Sequence, residues 1–396
     1  DLEDWLSIRV LDSTDPAAVA AAGEGLHPLT TLFIVATKSG TTTETLAFQA
    51  DAWERIHEAL REAHHRFDSP AELMVAITDP GKSLGAIPHH ADIPQVFLNP
   101  ESVGGRYSAL SYVGLVPASL AGVDLDPFLA DAAAMRSACL AADPLANPGV
   151  ALGATIGALA LAGRDKVTFV IDPALPSLGA WLEQLVAESC GKVGTGVVPI
   201  DREPLGEPAV YGADRTFVRI VLDGTPAATA ADGTSADARL DDLAAAGHPV
   251  LRLVLPDPID LAGEFYRWEV ATAIAGILLD VNPFDEPNVT ESKENTKRVL
   301  EELHRHGHFP DEEPLATGDG LALYGDAPLR LGQPNEVRRH LLQVPTDHPA
   351  SHHALHRVTI CPPRPSATAR PGSLPPPFPG YRGGEPQPAR AEEPHG

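Results

Sequence analysis

Short β-rich runs alternate with longer helical patterns through most of this chain, and that alternation restricts its fold more than any other feature. Thr31–Thr37 (TLFIVAT) is a continuous apolar run of strand length, and helical periodicity follows over Thr43–Ala63. Met74–Thr78 and Gln95–Leu98 read as further strands, and Ala109–Leu120 and Phe128–Leu140 as helices. After a linker at Ala142–Pro148 the pattern restarts. Helices are expected at Ala151–Ala162, Leu178–Glu188, Asp237–Ala246 and Asp260–Leu279. Strands are expected at Val167–Ile171, Thr216–Leu222 and Pro249–Leu255, with a polar loop at Ala228–Ser235. Strands alternating with helices of this length indicate βαβ units and a parallel sheet covered on both faces. The expected fold class is therefore α/β with two doubly wound parallel-sheet (α/β/α) domains. The first spans 1–127, a linker helix and loop span 128–150, and a second, incomplete domain spans 151–329. The proline- and histidine-rich segment 330–396 has no such pattern, cannot build a core, and is expected to be disordered.

Charge narrows the partners. The 396 residues carry 29 Lys and Arg against 54 Asp and Glu, a formal net charge of −25. Nucleic acids and anionic membrane surfaces are held by clustered cations, so the expected partner is a small molecule, with no nucleic acid and no membrane. Cys139, Cys190 and Cys361 are too scattered for a disulfide framework or a zinc site. No apolar run reaches the roughly 18–20 residues that span a bilayer, and the start carries no secretory signal. A cytoplasmic location is expected. The sequence opens on Asp1 rather than Met, as part of a longer chain would.

The most informative segment is Thr37-Lys38-Ser39-Gly40-Thr41-Thr42-Thr43-Glu44, where a strand ends and a helix begins. Unpaired N–H groups and the positive dipole end make a helix N-terminus a site for anions such as phosphate. Gly40 lets the backbone approach closely, and the hydroxyls add donors. A plain N-cap needs far fewer hydroxyls than this. Thr37, Lys38, Ser39, Thr41 and Thr42 are the candidate phosphate-binding residues. The loop lacks the Walker spacing ending in Gly-Lys-Ser/Thr, so a sugar phosphate is favoured over a nucleotide.

Strand–TKSGTTTE–helix resembles the sugar isomerase (SIS) domain, and three further motifs narrow the resemblance to the glucose-6-phosphate isomerases. Gly104-Gly105-Arg106-Tyr107-Ser108 is similar to that family's first signature, and Trp181–Lys192, with its Glu188-Ser189, to the second. Asn282-Pro283-Phe284-Asp285-Glu286-Pro287, followed by Lys293, resembles the third. The wording around them looks most like the isomerase half of bacterial bifunctional transaldolase/glucose-6-phosphate isomerases. The resemblance covers about residues 1–325. It implies two SIS-type domains, interconversion of glucose 6-phosphate and fructose 6-phosphate, no cofactor, no metal and a homodimer.

Aldose–ketose interconversion needs a base that moves a proton between C2 and C1 through an enediolate, and Glu188 is the candidate. A carboxylate near pKa 4.3 in water needs burial to approach neutrality, and the helix end beside Cys190 and Gly191 is expected to supply it. Arg106, after two glycines, is placed to stabilise the enediolate oxygen, and Gly105 is a candidate substrate contact. The resemblance implies a role for Lys293 at the sugar ring.

Four features depart from the family pattern. Glu286 stands where the family usually carries Gln, so this candidate substrate contact adds a carboxylate that must be paired if an anionic substrate is to bind. The ring-opening histidine expected some twenty residues after the base is missing from Pro204–Arg215, where Tyr211 is the nearest candidate. His248 is the histidine left to take that part, against the plainer reading of a packed loop histidine. No glycine- and serine-rich sugar-binding turn is found in Asp1–Thr30, and the closing helices of the second domain are replaced after about residue 330. The chain is thus expected to be truncated at the front and divergent at the back, with consequences for activity. His304, His306 and His308 alternate in a polar segment without a ligand cluster, so no metal site is expected there.

Two other readings compete. One is a different SIS sugar-phosphate isomerase, such as the amino-sugar branch. The other is a non-catalytic sugar-phosphate-binding protein, which would keep the loop but need neither Glu188 nor Arg106.

Overall fold

A computed structural model describes residues 5–62, 66–192, 194–225 and 233–308, together with three short strands within 316–361. It divides into two compact units, Asp1–Thr290 and Glu291–Gly396.

The first unit opens with helix α1 (Pro16–Gly23) and holds two parallel sheets. In the first sheet, β1 (Phe33–Ala36), β2 (Met74–Thr78) and β3 (Gln95–Leu98) lie side by side in chain order. All five residues of β2 are buried, as a central strand packed on both faces requires. Helix α2 (Thr43–Glu62) connects β1 to β2 and places Ala52 and Ile56 in a core with Val35, Met74 and Ala76. The short α3 (Lys82–Ala86) lies between β2 and β3. Then come α4 (Tyr112–Leu120) and α5 (Leu125–Ala138).

The second sheet follows α6 (Pro148–Leu161). Its strands are β4 (Lys166–Ile171), β5 (Val198–Ile200), β6 (Arg215–Leu222) and β7 (Val250–Leu255), ordered β5-β4-β6-β7. The chain moves outward from β4 in one direction to β5 and in the other to β6 and β7, which is doubly wound topology. Helices α7 (Leu178–Cys190) and α9 (Leu261–Leu278) join α6 on one face, where Val218 and Ile220 of β6 meet them. Helix α8 (Ala236–Ala245) covers the other face with Phe217. Alternate residues of one strand thus serve two cores, as a period of two dictates. The small residues of α6 have a packing reason: a Cβ on Gly153 would stand 2.2 Å from the Ala271 carbonyl oxygen of α9.

Helix α10 (Pro287–His306) crosses the boundary between the units. In the second unit β8 (Ala316–Gly318), β9 (Leu321–Tyr324) and β10 (Thr359–Cys361) form an antiparallel sheet.

The expected strands Thr31–Thr37 and Val167–Ile171 are parallel strands in separate sheets. The sequence reading missed α1, α3, β5, β8 and β9, all short and weakly periodic; it placed a polar helix start at Lys293, which lies within α10. β10 lies inside the segment expected to be disordered; the rest of 330–396, and most of the loop expected at Ala228–Ser235, lie outside the described residues. Among the described residues, no helix is long and apolar enough to cross a membrane, and no cluster of His, Cys, Asp and Glu has the makings of a metal site.

Candidate active site

The two regions singled out by sequence both follow strands of the first sheet at their carboxyl ends, where open parallel sheets place ligands. Residues 37–42 join β1 to α2. Gly40 has φ +67°, and a Cβ there would come within 1.9 Å of the Ser83 carbonyl oxygen, so glycine is required for the turn. Thr37 is buried and its Oγ1 donates to Thr42 Oγ1 at 3.2 Å, pinning one side of the turn to the other. Ser39 and Thr41 are exposed, their hydroxyls 2.9 Å apart, and the Thr41 N–H donates to Ser39 Oγ at 3.2 Å. Exposed hydroxyls over the start of a 20-residue helix make a cradle for an anion. Lys38 departs from expectation. Its ammonium is held by the Asp79 carboxylate and by the Glu101 carbonyl oxygen at 3.0 Å, which ties the loop to β2 and to the segment after β3. Its charge is engaged on the protein side.

From Glu101 the chain runs to Gly104 and the short turn Gly105–Tyr107, which delivers Arg106 into the body of the first unit. Arg106 is only 7% exposed. Its Nη1 donates to Ser189 Oγ at 2.7 Å and to the Pro283 carbonyl oxygen at 3.1 Å, and its Nη2 to the Asp285 carbonyl oxygen at 2.8 Å. Its Nε lies 3.5 Å from Glu188 Oε2. Three of the five guanidinium N–H groups are thereby hydrogen-bonded, and the planar fork fixes the direction of the others. The Tyr107 hydroxyl reaches Ser189 Oγ and the Pro283 carbonyl oxygen, each at 3.3 Å. Lys192, also buried, donates to the Asn282 and Asp285 carbonyl oxygens and pairs with the Asp285 carboxylate at 2.5 Å. Three stretches of sequence, 104–108, 188–192 and 282–285, meet in one knot of buried bonds.

Glu188 stands at the edge of that knot, near the C-terminal end of α7. Its Oε1 accepts from Gln184 Nε2 at 3.3 Å, and its side chain is 36% exposed. The burial expected at Glu188 is therefore not found. The solvent-facing side of α7 leaves the carboxylate open to an incoming molecule, while Arg106 fixes its orientation. The neighbour Cys190 is the residue that the helix end buries, and loss of solvent pushes its thiol up to about 11.

Glu286 is exposed on the turn after Asp285. Lys293 lies on α10 in the second unit and is exposed. His248 is not brought to Glu188. It precedes β7 and packs edge-on against Tyr211 and Phe217, on the α8 face of the second sheet, whereas α7 lies on the opposite face. With Arg164 and Tyr211 it lines a cleft of about 380 Å³. Tyr211 is equally distant from the base in topology, and its hydroxyl accepts from the Gly206 N–H at 2.9 Å. The plainer reading of His248 as a packed loop histidine accounts for these contacts. Sequence reasoning passed over Tyr107, Ser189, Lys192 and Asp285 as site residues. Only their places inside the motifs signalled them, because each acts through a partner at least 80 positions away.

The family model described as phosphoglucose isomerase matches residues 2–212. A glucose-6-phosphate isomerase of Rubrobacter xylanophilus is 33% identical over 327 residues, covering 73% of this chain and 73% of its own. One of Symbiobacterium thermophilum is 32% identical over 299 residues, covering 67% of this chain; the match spans 65% of that relative's length. Among solved structures, the hypothetical protein TT0462 of Thermus thermophilus is similar with TM-score 0.63 and 26% identity, over 73% of this chain and 76% of its own. A glucose-6-phosphate isomerase of Chlamydia trachomatis shares the fold with TM-score 0.57 and 22% identity, over 75% of this chain and 63% of its own.

Proposed function

The chain belongs to the phosphoglucose isomerase family, and from that premise we propose that it interconverts glucose 6-phosphate and fructose 6-phosphate through an enediolate. The observation that carries this reading is the knot that aligns a solvent-accessible Glu188 with a buried Arg106. In the proposed reaction the 6-phosphate rests on Ser39, Thr41 and Thr42 at the start of α2, with Thr37 holding the turn in shape. Glu188 takes the proton from C2 and returns it to C1. The positive charge of Arg106 beside Glu188 offsets the negative charge that develops on the enediolate oxygen. Gly105 leaves room for the sugar beside this turn. Lys38, already neutralised by Asp79, shapes the loop rather than meeting the phosphate.

The third signature motif supports a part for Lys293 at the ring oxygen and for Glu286 as a substrate contact. The residue that opens the ring is not assigned to His248. The family resemblance further supports a homodimer, a cytoplasmic setting and fusion to a transaldolase as parts of the same reading. No cofactor is required, since the proton transfer is internal to the sugar.

The test is direct. The chain is incubated with glucose 6-phosphate and fructose 6-phosphate is measured, with glucosamine 6-phosphate as a second substrate. Formation of fructose 6-phosphate, with the amino sugar left unconverted, is expected. Binding without turnover would favour a sugar-phosphate-binding protein instead, and turnover of the amino sugar would favour another SIS isomerase.

A further inference from the structure

Lys38 stands in the loop proposed to meet the phosphate, yet its charge is engaged by the Asp79 carboxylate. A carboxylate beside the loop's lysine works against anion binding, so the pair needs another reason. The contacts supply one. Just past β1, the Lys38 carbonyl oxygen accepts from the Asp79 N–H at 3.2 Å and from Thr78 Oγ1 at 3.3 Å. At the end of β2, the Thr78 carbonyl oxygen accepts from the Asn99 N–H, just past β3, at 2.9 Å. The Lys38 side chain spans the same three strand ends, pairing with Asp79 and donating to the Glu101 carbonyl oxygen at 3.0 Å. The carboxyl ends of the first sheet are thus strapped together in strand order.

Arg106 lies five residues beyond Glu101. Two turns shorten the chain between them. The Val103 N–H donates to the Pro100 carbonyl oxygen at 3.1 Å, and the Tyr107 N–H to that of Gly104 at 3.0 Å. Arg106 is itself anchored in the knot, so the strap at Glu101 sets how far the phosphate loop stands from a fixed point. Asp79 is buried, and its Oδ1 has no hydrogen-bond partner. Its carboxylate is held through Oδ2, by Lys38.

We propose that Asp79 is a positioning residue for this site: by holding the Lys38 ammonium against Glu101, it fixes the span between the phosphate cradle and the Arg106 turn. The proposal rests on the isomerase reading of the site. A sugar held by its phosphate at Ser39 and Thr41 must present its reacting carbons at Glu188 and Arg106. A misplacement of about 1 Å costs on the order of 100-fold in rate. The hydroxyls that receive the phosphate are untouched by such a shift. The strap therefore acts on turnover rather than on phosphate affinity.

The experiment measures kcat with glucose 6-phosphate and the Kd for inorganic phosphate in wild type, Asp79→Asn, Lys38→Met, Lys38→Arg and the double variant Lys38→Met with Asp79→Asn. Lys38→Met alone leaves a buried carboxylate unpaired and should be less stable; the double variant removes both charges. In the double variant kcat should fall about 10–100-fold, with the Kd for phosphate within about threefold of wild type. Asp79→Asn should lose kcat in the same direction. Lys38→Arg, which keeps the charge and the reach, should recover most of the kcat that Lys38→Met loses. Tighter phosphate binding by Asp79→Asn with kcat retained would overturn the proposal, because Lys38 would then be a phosphate ligand held in check. So would a double variant whose phosphate affinity falls as far as its kcat. A double variant that loses stability alone would overturn it too, since a merely structural pair leaves kcat in place.

Amide exchange gives a readout that needs no turnover. In the double variant the Val103 and Tyr107 N–H groups should exchange about tenfold faster. The Leu46 N–H, bonded to the Thr42 carbonyl oxygen at 3.0 Å at the start of α2, should keep its rate. If wild type turns over no sugar phosphate, the isomerase reading fails; unchanged exchange at Val103 and Tyr107 contradicts the strap itself.

Discussion

In the loop at residues 37–42 the hydroxyls that meet solvent come from Ser39 and Thr41, two positions apart, whereas the partners of Arg106 are drawn from positions 188, 189, 283 and 285. The loop is open, its side chains bonded mainly to one another. The knot is closed, its donors and acceptors spent on the protein before any substrate arrives. Binding a phosphate needs donors that can turn toward it, and a strand–turn–helix supplies them locally. Moving a proton between adjacent carbons needs a base held at one angle, and that rigidity takes contacts across the whole first unit.

If this contrast is sound, damage to the two regions should look different. Arg106→Ala should have the largest effect. It takes three charged hydrogen bonds from Ser189, Pro283 and Asp285, which keep only Tyr107 or Lys192 as donors, and releases Glu188, so stability should fall by about 3–5 kcal/mol, with activity lost. Denaturant unfolding read beside kcat checks this, and a stable but inactive variant would show that the knot carries chemistry without holding the fold. Ser39→Ala with Thr42→Ala should leave the fold and kcat nearly intact and raise KM about 10–100-fold, as loss of hydrogen bonds to a charged group predicts. A fall in kcat of that size instead would erase the division of labour. Gly40→Ala probes the loop's backbone. The positive φ and the 1.9 Å approach to Ser83 should cost about 1–3 kcal/mol, with KM rising through distortion of the cradle.

The smallest effect is expected at Glu264, on α9 but turned toward α5. Burial raises its carboxyl to about 7, against the pull of Arg267. The raised value means that the folded chain holds a proton the unfolded chain has released. Stability should therefore decline as pH rises from about 4.5 to 7 and level off beyond. Glu264→Gln should flatten that decline without touching kcat, and thermal unfolding across the pH range measures it.

The same contrast explains what the sequence revealed. The loop was legible because its glycine, hydroxyls and helix start are contiguous, and each of those features carries its own physical reason. Strands β2 and β3 were placed to the residue because apolar runs bounded by Asp79-Pro80-Gly81 and Asn99-Pro100 leave no latitude. Arg106 and Glu188 were found through motifs, but their pairing, and the staples Ser189, Lys192 and Asp285, depend on contacts that no local pattern encodes. The environment of Glu188 was misjudged for the same reason: which side of a helix end is covered depends on what the rest of the chain lays over it. The buried carboxyl sits at Glu264 instead, inside an apolar helix whose periodicity identifies the element but says little about which polar position is covered.

The central claim is that Glu188 moves the proton while the knot holds it in place. Glu188→Gln keeps the shape and a hydrogen-bonding oxygen for Gln184 but cannot accept a proton. Wild type and variant are incubated with glucose 6-phosphate in tritiated water, and label at C2 is counted beside the affinity for a phosphorylated sugar acid. Wild type should incorporate tritium. The variant should bind the sugar acid as tightly and incorporate label about 10²–10⁴-fold more slowly, the loss expected on removing a general base. Incorporation by Glu188→Gln at the wild-type rate would contradict the account.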